Sequence, residues 1–292
     1  MSYRILVRQQ QSDLAALFLA AMEDHPFVLL TPSEDNLDWT DASAITGYIR
    51  EKSPNLVVNF TEQYRTANER DVDAASAIAK AAMGRALPLI QLSSFEALGP
   101  FYRDAGVGEE LVEAASTGFA RTERAAVVAE KALVLRLPWV LDSVRGSLFD
   151  EINPALLAGS LKTVSDHHDL TLVHSSFVVQ CLVAITQQIF CSAENWGVFN
   201  LRAADSCSEA ELVDTIVRMI NSEADLDIAM PNVSAGRESE RLLAGSANFL
   251  GRRCTDDFGI QFPSWRHGFK SQIKRWLHKN DLVPDLRKVK RS

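Results

Sequence analysis

Short apolar runs recur along the first half of this chain, each followed by a stretch with helical character, and that alternation constrains the fold more than any other feature. The runs are Ile5-Leu6-Val7, Phe27-Val28-Leu29-Leu30, Leu56-Val57-Val58-Asn59-Phe60, Leu89-Ile90-Gln91-Leu92 and Ala132-Leu133-Val134-Leu135-Arg136-Leu137. A strand with one wet face alternates apolar and polar residues; these do not, so they belong to a parallel sheet covered on both faces. Between them the pattern predicts helices over Asp13–Met22, from a Thr40 cap to about Lys52, over about Glu69–Gly84 and over about Ser116–Glu130. The expected fold class is α/β, a doubly wound parallel sheet, and the right-handed crossover rule leaves few ways to connect it.

The second half is less regular. It reads as a buried helix over Phe177–Phe190, a strand at Val198–Leu201 and an amphipathic helix over Ser208–Asn221. A polar loop from Pro231 to Glu240, a short helix over Ser246–Asp256 and a terminal helix over Trp265–Lys279 follow. The expected domains are residues 1–142 with a return segment at about 169–223, a smaller discontinuous lobe at about 143–168 and 224–263, and a terminal helix with a basic tail at 264–292.

Composition removes several classes. A net charge of −8 argues against a nucleic-acid partner. The tail Arg287-Lys288-Val289-Lys290-Arg291-Ser292 is basic and reads as a solvated end or as a contact for an acidic partner. There is no run of 18 apolar residues or more, hence no expected membrane span, and Met1-Ser2-Tyr3-Arg4 leads at once into a strand rather than a signal peptide. Cys181, Cys191, Cys207 and Cys254 show no C-x-x-C spacing; Cys181, Cys191 and Cys254 lie in apolar or helical stretches and are read as buried thiols of a cytoplasmic protein.

The turn after the first strand carries the main functional signal. A dinucleotide-binding turn needs glycines for the tight bend, for close approach to the pyrophosphate and for helix packing. Here the turn is Arg8-Gln9-Gln10-Gln11-Ser12-Asp13, with no glycine. The chain's Y-x-x-x-K is Tyr48-Ile49-Arg50-Glu51-Lys52, in the helix that precedes the third apolar run.

Several segments together resemble dTDP-4-dehydrorhamnose reductase-type members of the extended short-chain dehydrogenase/reductase superfamily. They are Pro54-Asn55-Leu56-Val57-Val58-Asn59, Leu92-Ser93-Ser94, Leu135-Arg136-Leu137-Pro138-Trp139-Val140 and, most specific, Phe258-Gly259-Ile260-Gln261-Phe262-Pro263-Ser264-Trp265-Arg266-His267-Gly268. The resemblance implies a Rossmann domain that binds a nicotinamide cofactor and a smaller lobe that grips a nucleotide-linked sugar. It also implies a Ser or Thr, a Tyr and a Lys as the chemical set, with phenol and ammonium sharing one helix face at i and i+4. On that pattern Ser94 is retained, Phe119 falls at the Tyr position and Glu123 at the Lys position. A phenyl ring has no proton to give, and a carboxylate raises a nearby phenol pKa. Tyr64 and Tyr102 have no lysine four residues on, and Tyr48, which has Lys52, lies far from the Phe119–Glu123 segment in sequence.

Other constellations are weaker. Asp166-His167-His168-Asp169 lacks a third ligand at useful spacing and reads as a polar turn, so no metal is expected. Ser93-Ser94 with His174 has no nucleophile elbow. His174 reads as a helix cap or a ligand contact, and Trp139 as core or pocket wall. Arg136, a charge in a buried strand, needs either Glu130 or another acid, or a ligand phosphate. Arg237, Arg241, Arg252 and Arg253 have the fork geometry suited to a diphosphate. The sequence therefore reads as a redox-inactive relative that keeps a sugar-nucleotide cleft, with no cofactor expected at the degenerate Gln9, Gln10, Gln11 and Asp13 turn. Its substrate contacts are Arg136, Trp139, His174, Arg237 and Arg241. The alternatives are an NAD(P)H-dependent reductase of a nucleotide-linked 4-keto sugar, and a regulatory or scaffold subunit for a partner enzyme. The superfamily's helix pairing would give a homodimer, on which Glu123 and Arg124 give no sign.

Overall fold

The computed structural model describes residues 2–8, 12–61, 66–103 (backbone alone for 100–103), 108–113, 115–141, 147–166, 170–235 and 250–283. The chain divides into two compact units, Met1–Pro138 with Ser175–Arg202 and Asn248–Phe262, and Trp139–His174 with Ala203–Ala247 and Pro263–Ser292. These bounds fall differently from the expected 1–142 and 169–223: α7 (Glu209–Ala224) and α9 (Phe269–Lys279) lie in the second unit.

The first unit, numbered along the chain, holds β1 (Tyr3–Arg8), α1 (Asp13–Met22), β2 (Phe27–Leu30), α2 (Ala42–Lys52), β3 (Leu56–Asn59) and α3 (Glu69–Met83). It continues with β4 (Leu89–Ser94), a 3₁₀ segment (Phe95–Arg103), α4 (Gly118–Ala126), β5 (Ala132–Leu137), α6 (Ser175–Phe190), β9 (Gly197–Asn200) and α8 (Arg253–Phe258). Its six-stranded sheet runs β2-β1-β3-β4-β5-β9, with every pairing parallel. Leu6, Val57, Leu89, Val134 and Val198 point to one face, where they meet Ile45 and Ile49 of α2, Ala74 and Ile78 of α3 and Ala126 of α4. The alternate residues Ile5, Val7, Val58, Ile90 and Leu133 are equally buried, as expected for a strand wet on neither face. On that second face α1 packs against α6.

Helix starts follow capping chemistry. Ser12 Oγ accepts from the Ala15 amide at 3.4 Å, and Asn68 and Asp71 form a reciprocal capping box on α3. The expected Thr40 cap is corrected to Asp41, whose carboxylate accepts from the Ser43 amide at 2.7 Å, while Thr40 Oγ1 donates back to Asp38. The helix expected over Ser116–Glu130 is shorter, because the chain turns at Ala126–Ala129 to enter β5. It opens on Gly118 for a steric reason: a Cβ there would lie 1.9 Å from the Ala67 carbonyl oxygen. The expected buried thiol at Cys191 is exposed, since α6 ends at Phe190; Cys181, Cys207 and Cys254 are buried, and all four are free.

The second unit is built from β6 (Trp139–Leu141), α5 (Leu148–Leu157), β7 (Thr163–Ser165), β8 (Leu172–His174), α7, β10 (Asn232–Ser234) and α9. Its strands form two parallel pairs, β6 with β8 and β7 with β10; the latter places a strand inside the expected loop Pro231–Glu240. The terminal helix begins at Phe269 rather than Trp265. Asp205 holds the preceding turn by accepting from Ser264 Oγ, the Trp265 amide and Arg266, and Gly268 sits at φ +76°. Arg266 also pairs with Glu211 and lies over the Trp265 ring. The Pro-Ser-Trp-Arg signature is therefore a clasp within this unit. The helix expected over Ser246–Asp256 is described as Arg253–Phe258, part of the expected span lying outside the described residues.

Candidate functional site

In an open parallel sheet, ligands lie beyond the carboxyl ends of the strands, where the strand order reverses. Here that point lies between β1 and β3, because the chain passes from β1 to β2 on one side and to β3 on the other. At this end of the sheet the described residues Ser12, Leu14, Phe60, Thr61, Leu92, Ser93 and Leu137 line a small crevice. Gln9, Gln10 and Gln11 lie outside the described residues; Asp13 opens α1 and is half-buried.

Arg8, the last residue of β1, is fully buried beside this crevice. Its Nη2 donates to Asp71 Oδ1 at 2.9 Å and its Nη1 to Asn59 Oδ1 and the Phe60 carbonyl, each at 3.2 Å. Asn59 passes the chain on to Gln91 Oε1 at 2.6 Å, and Gln91 donates to the Leu92 carbonyl. Burial lowers the Arg8 pKa from its ordinary value, and the Asp71 carboxylate opposes that shift. This network was missed in the sequence, where Arg8 reads as a turn residue; the Asn68-x-x-Asp71 spacing was its visible trace.

The second buried charge is Arg136 in β5. Its partner is Glu123 of α4, not Glu130. Arg136 Nε donates to Glu123 Oε1 at 2.8 Å and Nη2 to Oε2 at 2.6 Å, with both side chains almost fully buried. Ser93 Oγ donates to the same Glu123 Oε1 at 2.6 Å. Arg136 Nη2 also reaches the Glu110 carbonyl at 2.8 Å. Phe119 is buried one turn before Glu123, and α4 contains neither tyrosine nor lysine. Ser94 is buried at the end of β4, its Oγ accepting from the Glu96 amide at 3.4 Å.

The remaining predicted residues lie elsewhere. Trp139 is buried in β6 opposite Leu172, and His174 ends β8 with its Nε2 2.9 Å from the Trp265 carbonyl and its ring edge-on to Phe269. Both belong to the second unit. Arg237, Arg241, His167 and His168 lie outside the described residues. Arg252 precedes α8 and Arg253 opens it, Arg253 donating to the Val198 and Trp196 carbonyls at 2.9 and 2.8 Å. Among the described residues no group of three His, Cys, Asp or Glu stands together as a metal site, and no helix is long and apolar enough to cross a membrane.

Comparison with known proteins gives one family match, to the model described as RmlD substrate binding domain, over residues 3–278. No curated protein sequence matches. Among solved structures the chain is similar to the Bacillus anthracis dTDP-4-dehydrorhamnose reductase in complex with NADP (15% identity, TM-score 0.70, 94% of this chain and 99% of that one). It is also similar to the Bordetella bronchiseptica enzyme WbmG in complex with NAD (16% identity, TM-score 0.72, 97% of this chain and 96% of that one). The same enzyme in complex with NAD and UDP matches at 16% identity and TM-score 0.67, with 97% of each chain covered. At such identities the likeness establishes the Rossmann-like α/β fold.

Proposed function

This chain belongs to the RmlD substrate binding domain family, and on that premise we propose that it is a redox-inactive relative that binds a nucleotide-linked sugar without reducing it. The observation that carries the reading is the chemistry of α4. It offers no phenol and no ammonium, and its carboxylate Glu123 is already neutralised by Arg136 and bonded by Ser93. A positioned general acid contributes about 10²–10⁴ in rate, and none stands in this helix.

The family's cofactor is a nicotinamide dinucleotide, and the turn that would seat it, Gln9-Gln10-Gln11, has no glycine to let a pyrophosphate approach the backbone. The end of β1 is committed to Arg8 and its bonds to Asn59 and Asp71. At this end the buried charges neutralise each other, Arg8 with Asp71 and Arg136 with Glu123. Sugar-nucleotide contacts are assigned to His174 and, outside the described residues, to Arg237 and Arg241, whose fork geometry suits a diphosphate, while Trp139, a contact expected from the sequence, is fully buried. Four free thiols suit a reducing cytoplasm.

A thermal-shift series tests this reading. NADH and NADPH leave Tm unchanged, and one of the dTDP-, UDP- or GDP-sugars raises it, since a ligand at a hundred times its Kd adds about 2.7 kcal/mol to the folded state. A rise of several degrees with NADPH at sub-millimolar concentration overturns it. The second reading, an NAD(P)H-dependent reductase of a nucleotide-linked 4-keto sugar, draws on the buried Ser94 and on the relatives in complex with NADP or NAD. It needs a proton donor. Tyr48, with Lys52 four residues on, lies on α2 against the sheet's helix-covered core rather than on α4, and Tyr64 and the Tyr102 side chain lie outside the described residues.

A further inference from the structure

We infer that Gly108–Glu110 is a strap closed over the carboxyl ends of β5 and β9, fastened by the carboxylate of Glu109. Three residues in a row are tied, and the ties come from different elements. Glu109 Oε1 accepts from the Asn200 amide at the end of β9 at 3.0 Å. Its Oε2 accepts from the Arg252 and Arg253 amides at 3.2 and 2.9 Å. The Gly108 carbonyl accepts from Asn200 Nδ2 at 3.2 Å, and the Glu110 carbonyl accepts from Arg136 Nη2 at 2.8 Å. Gly251 makes the arrangement possible: a Cβ there would lie 2.5 Å from the Asn200 carbonyl oxygen, so only glycine lets the Arg252 segment run against β9 and present its amides to Glu109.

The strap lies at the end of the sheet where a fold of this class takes ligands. It also occupies Arg136. The guanidinium gives one edge to Glu123, and the strap's Glu110 carbonyl takes a share of Nη2, with Gly108 O at 3.5 Å from Nη1. Lifting the strap frees that outer edge of the fork for an incoming oxyanion while the Glu123 pair stays in place. Glu109 is the part that decides whether this happens: it is a half-buried carboxylate bonding three amides at once, whereas the other ties are one or two bonds to neutral carbonyls. Local openings of this kind draw on much less free energy than global unfolding. The inference stands whether or not the chain binds a sugar nucleotide.

The test uses the full chain without ligand. In Glu109→Ala, native-state hydrogen exchange at the Asn200, Arg252 and Arg253 amides accelerates about tenfold or more, while the Ile90 and Val134 amides of β4 and β5 exchange as in the wild type. Glu109→Gln, which keeps one acceptor oxygen, gives a smaller acceleration at the same three amides. Digestion with a glutamate-specific protease then cuts after Glu110 faster in both variants, with cleavage after the exposed Glu194 unchanged as the internal reference. Unchanged exchange at the three amides overturns the inference. So does an acceleration shared equally by Ile90 and Val134 in both variants, which would make Glu109 a general stabiliser rather than a fastening.

Discussion

The molecule contains two buried arginine–carboxylate pairs at strand ends of the same sheet, and they are built differently. Arg8 meets Asp71 through a single short bond, and Asp71 uses its other oxygen to accept from the Asn68 amide at 3.1 Å, closing the capping box of α3. Arg136 meets Glu123 through two bonds, and Glu123 takes a third from Ser93, while Arg136 keeps carbonyl acceptors on the strap. The first pair therefore shares its carboxylate with a helix start. The second shares its arginine with a loop. A buried charge left alone is costly because its desolvation is no longer offset, so the consequence of losing each carboxylate depends on what else remains to meet the arginine.

That difference orders the expected losses of stability, each read from denaturant unfolding at fixed m-value. Asp71→Ala is the most damaging: it takes the carboxylate from Arg8, which keeps the neutral acceptors Asn59 and Phe60, and it also opens the α3 cap, about 3–5 kcal/mol for the pair and about 1 kcal/mol for the cap. Glu123→Ala comes next, at about 3 kcal/mol, because Arg136 still finds the Glu110 carbonyl and no helix cap is lost with it. Ser93→Ala is the mildest, about 1–2 kcal/mol for one bond to a charged acceptor that keeps both of its arginine contacts. A Glu123→Ala loss larger than that of Asp71→Ala would show that the strap carbonyls do not compensate Arg136. A Ser93→Ala loss equal to that of Glu123→Ala would show that the hydroxyl, rather than the guanidinium, is what holds the carboxylate.

The central sheet was legible because its signal is redundant. Each strand of β1, β3, β4 and β5 is a continuous apolar run, and each crossover carries its own start signal, so errors of a residue or two at helix ends leave the topology intact. The second unit lacks that redundancy. Its strands β6, β7, β8 and β10 span three residues each, too short for any period to register. At the candidate site, Arg136 announced itself as a charge in an apolar strand, but Glu130 is closer in sequence than Glu123 and the helix geometry chose the farther one. Arg8 did not announce itself, since a charged residue at a strand end looks like the first residue of a loop until Asn59 and Asp71 are seen around it. Glu109 was invisible for the same reason: in a sequence, one acidic residue between Gly108 and Glu110 has nothing to distinguish it.

The exposure of Cys191 has a practical consequence. Cys181 and Cys254 are buried and their thiols are shifted upward by desolvation, Cys181 to about 12, so near neutral pH they hold almost no thiolate. Cys207 is buried as well. The native chain thus carries its own attachment point for a dye or cross-linker, one residue beyond the Phe190 ring that stacks on Tyr3 at 4.3 Å, and a fluorophore there would sit beside the first strand without any engineered mutation.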